Sequence, residues 1–141
     1  MIPNELESTG LKSKLQAYGI DVYSAFSLAA NQAAYREGAE WVDQTVAYLN
    51  DNSRILEQFI KIELPHIQYR RQESTYLAWL DCRALALSDD DLEKRVHAAG
   101  VIPSMGYCFG EDGQGFIRLN LGCPKRILEE KLTRLKSALT P

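Results

Sequence analysis

Apolar positions recur with a helical rhythm through the first half of the chain and as short strand-like runs through the second. From Ala25 to Arg36 the chain reads Ala-Phe-Ser-Leu-Ala-Ala-Asn-Gln-Ala-Ala-Tyr-Arg, alanine-rich and favourable for helix. Gly38 interrupts it. A longer segment, from about Ala39 to Glu63, places Val42, Val46, Leu49, Leu56 and Ile60 at steps of three and four, with Ser53 filling the one polar slot. That spacing predicts one face of a helix. Pro65 stops it, because Leu64 before the proline is pushed away from helical geometry. His66 to Tyr69 then reads as a short strand. Thr75 to Asp81 (Thr-Tyr-Leu-Ala-Trp-Leu-Asp) is a stronger one, apolar on both faces as in a strand covered on each side.

Ser88 followed by Asp91 is a capping-box variant, with Leu87 and Leu92 flanking it as a hydrophobic staple, and it predicts a helix over Asp89 to Ala99. Gly100 is placed to end that helix. Val101 and Ile102 open another short strand, a glycine-rich loop runs from Pro103 to Gly115, and Phe116 to Leu121 is the next strand. Pro124 sits at the first turn of a last helix, whose apolar positions Ile127, Leu128, Leu132, Leu135 and Leu139 alternate with charge. The fold class is α+β in layers: a long N-terminal helix pair, then a small sheet packed with helices.

Composition narrows the functional classes. With 141 residues, 45% apolar and 25% charged, the chain has the balance of a globular domain rather than of a disordered segment. No apolar run approaches the roughly 20 residues that cross a bilayer, so no membrane role is expected. The start, Met1 to Glu7, lacks the basic and apolar stretches of a signal peptide, which predicts a cytoplasmic location. Sixteen Lys and Arg against nineteen Asp and Glu give a net charge of -3. Nucleic-acid binders concentrate cations on one face, and the basic bias here falls on the solvated side of the last helix, so no nucleic-acid partner is expected. Cys82, Cys108 and Cys123 form no C-x-x-C pair, and His66 and His97 stand alone, so no metal site is expected.

Arg118 is the most informative position. Alternation in Phe116-Ile-Arg-Leu-Asn-Leu121 puts Ile117, Leu119 and Leu121 on one face and Phe116, Arg118 and Asn120 on the other. An arginine central in an apolar strand, with an amide neighbour, can grip a carboxylate bidentately. It can equally lie along a solvent-exposed sheet face. Both readings stand on spacing alone. The loop from Pro103 to Gly115 is no phosphate loop, since it lacks a following Lys-Ser/Thr and leads into a strand. Tyr107 and Phe109 within it either line a pocket rim or fold back on the core. No nucleophile with an adjacent base can be singled out.

Several blocks occur together in one order: Phe26-Ser-Leu-Ala-Ala-Asn-Gln-Ala-Ala-Tyr35, Gly38-Ala-Glu-Trp41, Ser74-Thr-Tyr-Leu-Ala-Trp-Leu-Asp81, Met105-Gly-Tyr-Cys-Phe-Gly-Glu111, and Gly115-Phe-Ile-Arg-Leu-Asn120 with Gly122-Cys-Pro124. Over essentially its whole length the chain resembles the C-terminal part of pyridoxal-phosphate-dependent class I/II aminotransferases. It is most similar to their cystathionine β-lyase (C–S lyase) branch. The resemblance implies a fold-type I enzyme with a large cofactor domain and a small C-terminal domain, dimeric as the intact protein. Its cofactor would be pyridoxal phosphate, and its substrate an α-amino acid whose carboxylate sits on an arginine of the small domain. The family's arginine falls on Arg118.

The family's cofactor-bearing lysine, the aspartate that pairs the pyridine nitrogen and most phosphate contacts map upstream of Met1. Lys14, in Leu11-Lys-Ser-Lys-Leu15, lacks the flanking residues and does not take the lysine's role. The resemblance therefore implies no catalytic residue and no bound cofactor in this chain alone, with residues 1–141 forming one small domain apart from its large one. C–S cleavage and amino transfer stay open. Two functional readings follow: a small domain supplying Arg118 to a lyase or aminotransferase, or a non-catalytic, stand-alone binding module.

Overall fold

The structure is a computed structural model that describes residues 5–19 and 24–140. The chain divides into two compact units, Met1–Asp43 and Gln44–Pro141. The first contains helix α1 (Glu5–Ala17), helix α2 (Ala25–Glu37) and the start of helix α3 (Ala39–Glu63). Alanine propensity carries α2, for none of its residues is buried. Gly38 separates α2 from α3 for a steric reason, since a Cβ there would run into the Ala34 carbonyl that its own N–H binds.

The second unit carries a four-stranded antiparallel sheet of β1 (Gln68–Tyr69), β2 (Leu77–Asp81), β3 (Ser104–Met105) and β4 (Phe116–Asn120), in the order β1-β2-β4-β3. Two helices accompany it, α4 (Asp89–Ala98) and α5 (Lys125–Leu139). One sheet face carries Ala78, Leu80, Met105, Ile117 and Leu119, all buried in the hydrophobic core. Leu56 and Ile60 of α3, Leu92 and Val96 of α4, and Leu128, Leu132 and Leu135 of α5 pack into the same core. The apolar face expected of α3 is thus buried at its C-terminal end only, while Val42 and Val46 are exposed. The layered α+β architecture is the expected one.

Three local expectations need correction. The segment Thr75–Asp81 is not covered on both sides: Leu77, Trp79 and Asp81 alternate onto the face away from the core, where Trp79 is 36% exposed. An antiparallel sheet needs only one covered face, so here apolar composition marks an open surface. Val101 and Ile102 form no strand. The Gly100 N–H binds the His97 carbonyl and the Val101 N–H binds the Val96 carbonyl, which is a Schellman ending of α4 with Gly100 at φ +75°. That motif uses the amide Val101 would have given a neighbouring strand, and pairing with β4 begins only at Ser104. Pro124 stands at the N-cap of α5 rather than inside its first turn. The Ser88 cap is as expected, with its hydroxyl accepting from the Asp91 N–H at 3.2 Å.

Candidate functional site on the open sheet face

Cross-strand register gathers the open face into rows. Trp79 and Ser104 flank Arg118, Asp81 faces Phe116, and Leu77 faces Asn120. In an antiparallel ladder such partners share a face, so a central arginine is walled by whatever its neighbours carry. One guanidinium nitrogen of Arg118, Nη2, donates to the Ser104 hydroxyl at 3.1 Å. The guanidinium carbon lies 4.4 Å from the centre of the Phe109 ring. Trp79 meets Phe109 edge-on at 5.6 Å and stacks on Phe116 at 5.5 Å. Tyr107 and Phe109 therefore neither fold onto the core nor stand free: Phe109 lies beneath Arg118, and Tyr107 donates to Glu93 of α4 at 2.9 Å. The negative carboxylate beside it pushes the Tyr107 phenol up to about 12.

A second arginine ends the same aromatic row. Arg83 lies 4.8 Å from the Phe116 ring and grips Asp81 through two nitrogens, at 2.9 and 2.6 Å. Those bonds hold the Asp81 carboxyl below the usual carboxylate range. Arg118 differs. Among the described residues no carboxylate lies within ion-pair distance of it, so of its five N–H donors only those facing Ser104 are engaged inside the chain. Asn120 shares its face as the alternation predicts, but its side-chain oxygen accepts from the Gly122 N–H at 2.7 Å and is committed to a turn. A cleft of about 210 Å³ opens beside Arg118, walled by Leu77, Pro103 and Leu132 and edged by Ser104, Asn120 and Lys131. Ser104 and Lys131 were not singled out from the sequence. Their approach to Arg118 depends on the β3–β4 register and on the placing of α5, which no local motif announces.

The other candidates stay apart. His66 shares a hydrogen bond of 2.7 Å with the Leu139 carbonyl, and His97 lies 3.9 Å from Glu93. Among the described residues no group of His, Cys, Asp or Glu could hold a metal ion, and no helix is long and apolar enough to cross a membrane. Cys82, Cys108 and Cys123 are free thiols, and burial pushes Cys82 up to about 12. Every lysine among the described residues stands on a helix, exposed or half-exposed, Lys14 on α1 included. A lysine that bonds a carbonyl cofactor is held in a desolvated pocket, and none of these is buried. The residues present do not fit pyridoxal phosphate as its covalent seat.

No protein-family model matches the chain. It is 37% identical over 141 residues to the cystathionine β-lyase PatB of Bacillus subtilis, covering 99% of this chain and 36% of that protein. A pyridoxal-phosphate-bound protein of Clostridium difficile 630 superposes with a TM-score of 0.92 at 35% identity, over 99% of this chain and 36% of its own. The pyridoxal-phosphate-bound C–S lyase of Staphylococcus hominis gives 0.79 at 31% identity, over 99% and 36%. The chain is a homologue of the cystathionine β-lyases. Its structural neighbours are fold-type I pyridoxal-phosphate enzymes, and it spans about a third of their length. The expected family resemblance and fold class both hold.

Proposed function

We propose that this chain is the small C-terminal domain of a pyridoxal-phosphate-dependent C–S lyase or aminotransferase acting on an α-amino acid. Arg118 is its α-carboxylate anchor. In this reading residues 1–141 act as one domain, the cofactor lysine and the large domain lie outside this chain, and the working enzyme is a cytoplasmic homodimer. The observation that carries the reading is the state of Arg118: half-buried at the centre of an open sheet face, beside a cleft, and without a carboxylate partner among the described residues. A planar guanidinium with free in-plane donors takes a carboxylate through two parallel hydrogen bonds. Fixing the carboxylate and the amine of an amino acid at two separate points leaves one orientation for the bonds at its α-carbon. Positioning of that kind supplies a large share of catalytic advantage. The neighbouring rings of Trp79, Phe109 and Phe116 lower the local polarity and strengthen the pair. When bound, the cofactor supplies the electron sink, and the residues of this chain supply orientation.

The test is steady-state kinetics on the protein that contains this chain together with its cofactor domain. Arg118→Ala should lower kcat/KM for the amino-acid substrate about a hundredfold, the scale of a charge-assisted bidentate contact worth about 3 kcal/mol. Arg118→Lys should recover little, because an ammonium cannot reproduce the fork. The chain by itself, mixed with pyridoxal phosphate and reduced with borohydride, should show no stoichiometric adduct at a single lysine. Such an adduct would overturn the division of labour proposed here.

A further inference from the structure

We infer that Phe109 is a positioning residue for Arg118, and that the glycine-rich turn from Gly106 to Gly113 exists to present it. The inference rests on the reading of Arg118 as a carboxylate anchor and deepens it. Phe109 belongs to no core, being 53% exposed, yet its ring lies against the Arg118 guanidinium at 4.4 Å. A large aromatic left half in solvent at a loop tip gains little from burial there; what it engages is the Arg118 cation on its face and Trp79 edge-on.

The turn that carries it is fastened on several sides. Gly106 and Gly113 approach so closely that a Cβ on either would collide with the carbonyl of the other. Tyr107 ties the turn to Glu93 of α4, and the Gly115 N–H donates to Asp89 at 2.8 Å. Gly110, at φ +119° and ψ 175°, bends the chain directly behind Phe109 in a region open to glycine alone. Tyr107 and Asp89 spend their bonds on Glu93 and Gly115 rather than on Arg118, and act on it through the ring.

The chemistry explains why a ring rather than an acid does this. A carboxylate seat would orient the guanidinium but consume its in-plane donors and cancel its charge, as Asp81 does to Arg83. A ring holds the flat face and leaves the edge donors free. Ser104 fixes the rotation about that seat at the cost of one donor, and it is neutral. Together the two side chains hold an arginine in place with its charge intact.

The experiment is proton–nitrogen NMR of the arginine Nε–H groups in the 141-residue chain, with Arg118 assigned through Arg118→Lys and acetate as the probe. In the wild type the Arg118 Hε signal should lie upfield of unstacked arginines and shift on adding acetate. Phe109→Leu should abolish the upfield displacement and weaken acetate binding roughly two- to fivefold, the range of an exposed cation–ring contact. Phe109→Tyr, which keeps the ring face, should restore both. Amide shifts of β4 report whether the sheet is intact in each variant, and Ser104→Ala should speed exchange of Arg118 while keeping the ring shift. An unchanged Hε position in Phe109→Leu, with β4 intact, would overturn the inference. Loss of the ring shift in Phe109→Leu with no acetate response in the wild type would uphold the seat and strike the anchor reading instead.

Discussion

Two arginines on the open sheet face are seated on the same kind of ring and end in opposite electrical states. Arg83, in the turn after β2, lies over Phe116, and Arg118, at the centre of the face, lies over Phe109, with Trp79 touching both rings. Arg83 is gripped by Asp81 through two nitrogens, whereas among the described residues the hydrogen-bond partner of the Arg118 side chain is the neutral Ser104 hydroxyl. Asp81 and Ser104 are the residues that differ in role: one neutralises its arginine, the other steadies it. A cation–ring contact by itself is therefore no sign of function. What marks Arg118 is a seat that leaves its charge unspent and takes one donor of five.

The largest effect expected of any substitution on β4 falls on the covered face. Ile117→Ala should destabilise the chain by about 2–5 kcal/mol in urea unfolding, the cost of emptying a fully buried site. Arg118→Ala, one residue along, should stay within about 0.5 kcal/mol, as surface-facing substitutions do. A large stability loss from Arg118→Ala would make it a structural residue and remove the contrast between the two faces. Arg83→Ala should leave kcat/KM for the amino acid within about twofold of the wild type. A loss comparable to that of Arg118→Ala would mean that both arginines, not one, serve the substrate.

The smallest expected effect is a pH dependence. The Asp81 carboxyl is held below its usual value by the Arg83 hydrogen bonds, so its contribution to stability is present above the ordinary carboxylate pKa. It is lost as the pH falls through the lower value of the folded state. Urea unfolding followed downward from about pH 5 should show that loss in the wild type and not in Asp81→Asn. No equivalent acid-side loss should trace to Arg118, which has no carboxylate partner among the described residues.

Much of this was legible in the sequence, and what was not shares one physical cause. The period of α3, the proline stop after it, the Ser88 cap and the alternation of β4 are local signals, and each matches the structure. The sharing of one face by Phe116, Arg118 and Asn120 also followed from local alternation. Non-local facts did not. An apolar strand reads as covered on both faces, and only the packing of α4, α5 and the C-terminal part of α3 against the opposite face shows that Trp79 lies on the other one. Phe109 and Ser104 reach Arg118 through strand register and a turn held by paired glycines, neither of which has a sequence period. Asn52 escaped notice for the same reason. It is buried inside α3 because its side-chain amide donates to the Leu121 and Cys123 carbonyls, about seventy positions away, at 2.8 and 3.0 Å.

In the proposed function Arg118 recognises the substrate's carboxylate and nothing else about it. The most direct measurement compares kcat/KM for an α-amino acid with that for the amine lacking only the carboxylate, in the protein with its cofactor domain, for wild type and Arg118→Ala. The account predicts that the wild type favours the amino acid strongly and that the substitution erases this preference, lowering the first value about a hundredfold and leaving the second nearly unchanged. A preference that survives in Arg118→Ala, or an equal fall for both compounds, would contradict it.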